Sequence, residues 1–92
     1  MLVFVVYDIS DTKTRSAFVN KLRYFGLRRI QKSVFSGILT IEDRLDLVKD
    51  FDFFMSSEKD SIVLIPVCES CEESIFIEGE VTLPKPTYYK FV

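Results

Sequence analysis

Histidine is absent from this sequence of 92 residues. That removes Ser-His-Asp and Cys-His nucleophilic sites and paired-histidine acid–base chemistry on RNA. Cysteine is scarce. Cys68 and Cys71 are the only two, and a zinc site needs four ligands, so two chains would have to pool their pairs. A thioredoxin-type pair begins a helix after a strand. Here the pair falls in an acidic loop whose carboxylates oppose thiolate formation, so both read as ordinary cysteines. No apolar run is long: Leu2 to Tyr7 is the longest, far short of the roughly 20 residues that span a bilayer. The first residues show neither a charged n-region nor a small-residue cleavage site. The reading is a soluble, cytoplasmic chain with no membrane partner. No internal repeat or low-complexity stretch is present. If such a chain hydrolyses anything, a metal held by carboxylates is the most natural remaining route.

What the sequence does have is apolar material and separated charge. At 48% apolar with nine phenylalanines, it carries more than a small one-domain chain easily hides, which favours a homodimer. The net charge is −2, but it is not evenly spread. From Lys13 to Lys32 there are seven basic residues and no acidic one, whereas twelve of the fourteen acids fall between Glu42 and Glu80. A basic face binds phosphate whatever the total charge; a solvated helix face would look the same.

Leu2–Tyr7 is apolar on both alternating faces and predicts a central strand. Ser10, Asp11 and Thr12 are cap candidates for a helix whose buried stripe is Phe18, Leu22 and Phe25, stopped by Gly26. Leu27 to Leu39 reads as extended, broken at Gln31-Lys32-Ser33 into a hairpin or bulged turn. Thr40 with Asp43 forms a capping box for a second helix running to about Met55, with Ile41, Leu45, Val48 and Met55 on one face and Leu47, Phe51 and Phe54 widening the stripe. Ser61–Val67 is a fourth strand, and Pro66 assigns it to an edge. Ile75–Ile77 is a short extra strand, the obvious cover for that edge, from the same chain or a partner. This order predicts an α+β, ferredoxin-like βαββαβ sandwich with a short extra C-terminal strand. Residues 1–78 form the domain and 79–92 an extended tail.

Asp8 stands where the first strand stops, at the kind of strand end where loops gather and ligands bind. A carboxylate is the hard oxygen ligand that Mg2+ takes; position alone favours the simpler role of capping a backbone N–H at the start of the loop. Arg15 opens the first helix on the turn nearest Asp8, where an anion is favoured. Arg28 and Arg29 begin the second strand, and alternation sends them to opposite faces, so one of them shares a face with Arg15. The small-residue stretch around Phe35 could let a phosphate backbone approach, with Phe35 as wedge or platform, or could be a core phenylalanine beside a bulge glycine.

These motifs together resemble the CRISPR-associated protein two family. They are "VVYDISD" at the first strand, Arg15, "GLRRIQKSVFSGIL" from Gly26 to Leu39, then "IVLIPV" and "IFIEG". The resemblance covers nearly the whole chain and implies a ferredoxin-like homodimer acting in spacer acquisition. It also implies a metal-dependent endonuclease on RNA or DNA, in which Asp8 from each protomer holds one Mg2+ (or Mn2+) at the dimer axis. The family's functional arginines match Arg15 and Arg29, and its aromatic matches Phe35. Tyr7 and Ser33 are placed to orient water or phosphate. Lys13, Arg28 and Lys32 join Arg15 and Arg29 as nucleic-acid contacts. A further family arginine is replaced here by Ala17, thinning the cationic surface. The alternative is a non-enzymatic adaptor that binds double-stranded DNA and bridges pairs of the larger CRISPR integrase subunit. The virulence-associated protein D toxins are similar ribonucleases, but the Arg-Ile-Gln-x-Ser-Val-Phe stretch favours the CRISPR family.

Overall fold

The computed structural model describes residues 1–84. Strand β1 (Leu2–Asp8) is followed by helix α1 (Thr12–Tyr24), strands β2 (Arg28–Gln31) and β3 (Val34–Ile38), helix α2 (Ile41–Val48), a 3-10 turn (Phe51–Phe54), strand β4 (Ser61–Val67) and the short helix α3 (Glu69–Glu72). The sheet is antiparallel throughout, in the order β2-β3-β1-β4. β1 is central and β4, with Pro66, is an edge, as the apolar run and the proline predict.

Local chemistry sets each boundary. Asp11 caps α1 by accepting from the Thr14 backbone N–H at 2.9 Å. At the other end Gly26 takes φ +85°, and the Gly26 and Leu27 N–H groups bond the Arg23 and Leu22 carbonyls at 2.9 and 3.1 Å, a Schellman stop. Lys32 and Ser33 turn β2 into β3, and a register shift between Arg29 and Gln31 makes this a bulged hairpin. Thr40 caps α2 by accepting from the Asp43 N–H at 3.1 Å.

The side chains of Val3, Val5, Tyr7 and Phe35 project from one sheet face into a core closed by Phe18, Val19, Leu22, Leu47 and Phe54. Three expectations give way here. Helix α2 ends at Val48, not near Met55, because Phe51 and Phe54 must both reach Phe18. A 3-10 turn places i and i+3 on one side, and their rings stand 5.8 and 5.2 Å from Phe18. Ile41, Leu45, Val48 and Met55 are consequently exposed, and the buried side belongs to Leu47, Phe51 and Phe54. Ile75–Ile77 forms no strand among the described residues. That segment lies over the other sheet face, sharing a cavity with Phe4, Ile30, Gln31 and Val34, so the β4 edge it was expected to cover stays open among the described residues. Of the tail, residues 85–92 fall outside the described residues. No helix among those described is long and apolar enough to cross a membrane.

Candidate nucleic-acid interface

Along α1, Ser16, Val19, Asn20 and Arg23 follow the i, i+3, i+4, i+7 spacing of one helix face. Opposite them stand Arg29, Lys32 and Ser33 of the β2–β3 hairpin, with Tyr7 and Arg15 closing the end. Together they enclose an open cleft of about 340 Å3. Four of its lining residues are cations (Arg15, Arg23, Arg29, Lys32) and none is acidic. Among the described residues the ion pairs are Lys21–Asp50 and Lys49–Asp46, so none of these four has a carboxylate partner. A concave site of unpaired cations is an anion site by its electrostatics.

The cations are held in different ways. Arg15 donates to the Ile9 carbonyl at 2.9 Å and to the Thr12 hydroxyl at 3.3 Å, which fixes its guanidinium against the β1–α1 loop. Arg29 and Arg23 lie over the Phe35 ring, 5.2 and 6.0 Å from its centroid. Phe35 itself is 0% exposed. It therefore offers no stacking platform and no wedge; its ring supports two guanidinium groups from below. The small residues beside it do not admit a phosphate backbone either. A Cβ at Gly37 would meet Leu27 Cγ at 2.9 Å, so the glycine makes room for core packing, and the bulge lies in β2 instead.

Tyr7 is buried against Phe18 and Phe35, with ring centroids 5.5 and 6.2 Å away, and borders the cleft floor beside Ser33. Alternation along β1 sends its neighbour Asp8 to the opposite sheet face. There Asp8 is exposed at the strand end, opposite Ser61 and on the same face as Val6, Val63 and Ile65. The structure thus brings Tyr7, Arg15, Arg29, Lys32 and Ser33 together and places Asp8 outside their cleft. Arg28 and Arg29 divide between the two faces as alternation predicts: Arg28 pairs with Ser36 and Arg29 with Phe35. Lys13 is exposed on the first turn of α1. Arg23 and Asn20 belong to the cleft although the sequence singled out neither; their helical spacing from Ser16 was the available signal.

Asp8 suits a hard cation: it is exposed and forms no ion pair among the described residues. No group of three or more His, Cys, Asp or Glu side chains gathers among those residues. One protomer therefore supplies a single carboxylate, compatible with Mg2+ only where water and phosphate oxygens complete the shell.

A second carboxylate secures the loop that follows Asp8. Asp60, 7% exposed, accepts from the Ser10 N–H and hydroxyl at 3.0 and 2.9 Å, the Ser56 N–H at 2.8 Å, the Ser57 hydroxyl at 2.8 Å, and the Ser56 hydroxyl. These bonds, the Ser56 hydroxyl foremost, hold its carboxyl well below the usual carboxylate range. The polar link Ser56–Ser61 is in effect a clamp on the β1–α1 loop. Ser56 and Ser57 lie within four residues of Asp60, but Ser10 is 50 residues away, and that distant contact is the part the sequence did not reveal.

The family model described as CRISPR associated protein Cas2 matches residues 1–75. A CRISPR-associated endoribonuclease Cas2 of Archaeoglobus fulgidus is 39% identical over 77 residues, covering 84% of this chain and 82% of the relative. Another, of Methanospirillum hungatei, is 40% identical over 86 residues, covering 90% and 86%. Among solved structures, a hypothetical protein from Thermus thermophilus superimposes with a TM-score of 0.73 at 28% identity, covering 91% of this chain and 96% of that one. Streptococcus pyogenes Cas2 gives 0.70 at 21% identity, covering 86% and 100%; the shared fold is the ferredoxin-like one.

Proposed function

The chain belongs to the CRISPR-associated protein Cas2 family, and from that premise we propose that it is a CRISPR-associated endoribonuclease whose cationic cleft holds the phosphate backbone for cleavage at Asp8. The observation that carries the reading is the cleft itself, four cations without a carboxylate partner among the described residues. Relatives named as endoribonucleases support the substrate class.

In this reading the active unit is a homodimer. Val6, Val63 and Ile65 leave 37%, 49% and 45% of their surface exposed on the sheet face that carries Asp8. An apolar sheet face of that kind is where a second copy packs. Two copies joined there bring two Asp8 carboxylates toward one axis, and together these supply the hard oxygen ligands for a Mg2+ (or Mn2+) ion. When bound, the ion supplies positive charge against the charge that develops on the phosphoryl oxygens. Arg15 and Arg29 hold the backbone within the cleft, on the sheet face opposite Asp8. Lys32 and, from the exposed first turn of α1, Lys13 extend the cationic track, Arg28 lies outside it on the other sheet face, and Tyr7 and Ser33 orient phosphate or water on the cleft floor.

A nuclease assay on single- and double-stranded RNA and DNA, with Mg2+, with Mn2+ and with chelator, tests this. The expected result is RNA cleavage that needs the cation and falls at least 100-fold in Asp8→Ala, with binding unchanged. Cleavage that survives in Asp8→Ala removes the carboxylate from the mechanism.

One observation favours a second reading, a DNA-binding adaptor of spacer acquisition that bridges the larger integrase subunit. Asp8 lies outside the cleft, so the cleft can grip a backbone without chemistry. An adaptor binds duplex DNA in a salt-dependent way, and spacer acquisition is unchanged in Asp8→Ala.

A further inference from the structure

The strand-to-helix turn at the end of β4 holds chemistry that the nuclease reading does not use. Cys68 follows Val67 in extended conformation (φ −71°, ψ 161°) and caps α3, with Cys71 one turn further on. The Cys71 and Glu72 N–H groups close that turn on the Cys68 carbonyl at 3.0 and 3.1 Å. Both thiols are exposed, and the Cys68 Sγ lies 3.3 Å from the Ser70 hydroxyl. Cα atoms one helical turn apart fall within the roughly 4.4–6.8 Å that a disulfide accepts. The pair thus begins a helix directly after a strand, which is not the irregular acidic loop the sequence suggested.

We propose that Cys68 and Cys71 form a redox-active dithiol that exchanges with low-molecular-weight disulfides of the glutathione type and closes into an intrachain disulfide. The two sulfurs have different roles. The Ser70 hydroxyl, then the Cys71 thiol and N–H, bring the Cys68 thiol down to about 7, while Cys71 is pushed up by hydrogen bonding with Cys68 and by its charge. The flanking glutamates do not outweigh those bonds. Near neutral pH the Cys68 thiolate therefore attacks. It displaces one thiolate from the small disulfide and leaves a mixed disulfide on Cys68. The Cys71 thiol then loses its proton and attacks the Cys68 sulfur, expelling the second small thiolate. The two protein thiols are oxidised by two electrons, the small disulfide is reduced to two thiols, and no other reactant is required. Closure ties off the point where the chain leaves β4 for the segment over the open sheet face.

The test uses the full chain, reduced and then incubated with oxidised glutathione, quenched in acid and weighed intact. Wild type should lose the mass of two hydrogens, keep no glutathione, remain unlinked between chains on a non-reducing gel, and recover with dithiothreitol. Cys71→Ser should retain one glutathione per chain. Cys68→Ser should react at least tenfold more slowly than Cys71→Ser at neutral pH. Retained adducts on both cysteines of wild type, disulfides only between chains, or equal rates for the two variants would each overturn the proposal.

Discussion

At the scale of single residues, the cleft works through charge that no carboxylate neutralises among the described residues. Arg15 is tied to the loop by its bond to the Ile9 carbonyl, whereas Arg29 rests on the Phe35 ring. On the proposed reading, removing either removes one phosphate contact. Each cation lost should lower the slope of log affinity against log salt for single-stranded RNA by about 0.7. Binding titrations of Arg15→Ala and Arg29→Ala across a salt series read this directly, and an unchanged slope places that arginine outside the bound path. Asp60 makes a different kind of prediction. Its carboxyl is held below the usual value of 3.8 by Ser56 and its neighbours, so its contribution to stability is fully present above that value. It is lost as pH falls through the depressed folded-state pKa. Asp60→Asn should therefore melt below wild type at neutral pH, and the gap should narrow as pH is taken below 3.8. Thermal midpoints measured down to about pH 2 check the trend, and a gap that widens in acid contradicts it.

At the scale of elements, the caps and breaks were legible because each rests on one or two adjacent residues: Asp11 and Thr40 at helix starts, Gly26 at a stop, Pro66 on an edge. Elements that depend on distant partners were not. Helical periodicity extended α2 through Phe51 and Phe54, but their common contact with Phe18 favours a 3-10 turn. Ile75–Ile77 has the composition of a strand, but it lies over the sheet face and not along the open β4 edge. The site shows the same division. Alternation correctly separated Arg28 from Arg29 and, by the same rule, separates Asp8 from Tyr7. It cannot tell that Phe35 is buried beneath Arg29, since that depends on α1 crossing the sheet there. Gly37 depends on the β2–β3 hairpin instead, which sets it beside Leu27, the residue before β2. A methyl group there would stand 2.9 Å from Leu27 Cγ and 3.1 Å from its Cα. Gly37→Ala should cost about 1–3 kcal/mol by overpacking, measured by urea unfolding; a variant as stable as wild type would mean that Leu27 and β3 approach less closely.

At the scale of the whole molecule, one sheet face is packed by helices and the other is shared unequally. Ile75, Ile77, Val81 and Leu83 line a cavity over its β2–β3 side, with Phe76 96% exposed, while Val6, Val63 and Ile65 on β1 and β4 remain uncovered. Asp8 belongs to that uncovered half, so the proposed catalytic carboxylate and the proposed dimer surface stand or fall together. A charge placed at the middle of this surface tests both. Ile65 is central in β4, opposite Phe4, and Ile65→Asp would bury an unpaired carboxylate in the dimer at a cost of several kcal/mol. Since each 1.4 kcal/mol is tenfold, the dimer dissociation constant should rise by on the order of 100-fold or more. Sedimentation across a concentration series measures it. Cleavage should fall in step with the dimer, because each protomer brings one Asp8. RNA binding in the cleft, which lies on the other sheet face, should persist in the isolated protomer. Cleavage that stays constant per chain while the dimer dissociates would separate Asp8 from the two-fold axis and return the catalytic step to a single protomer.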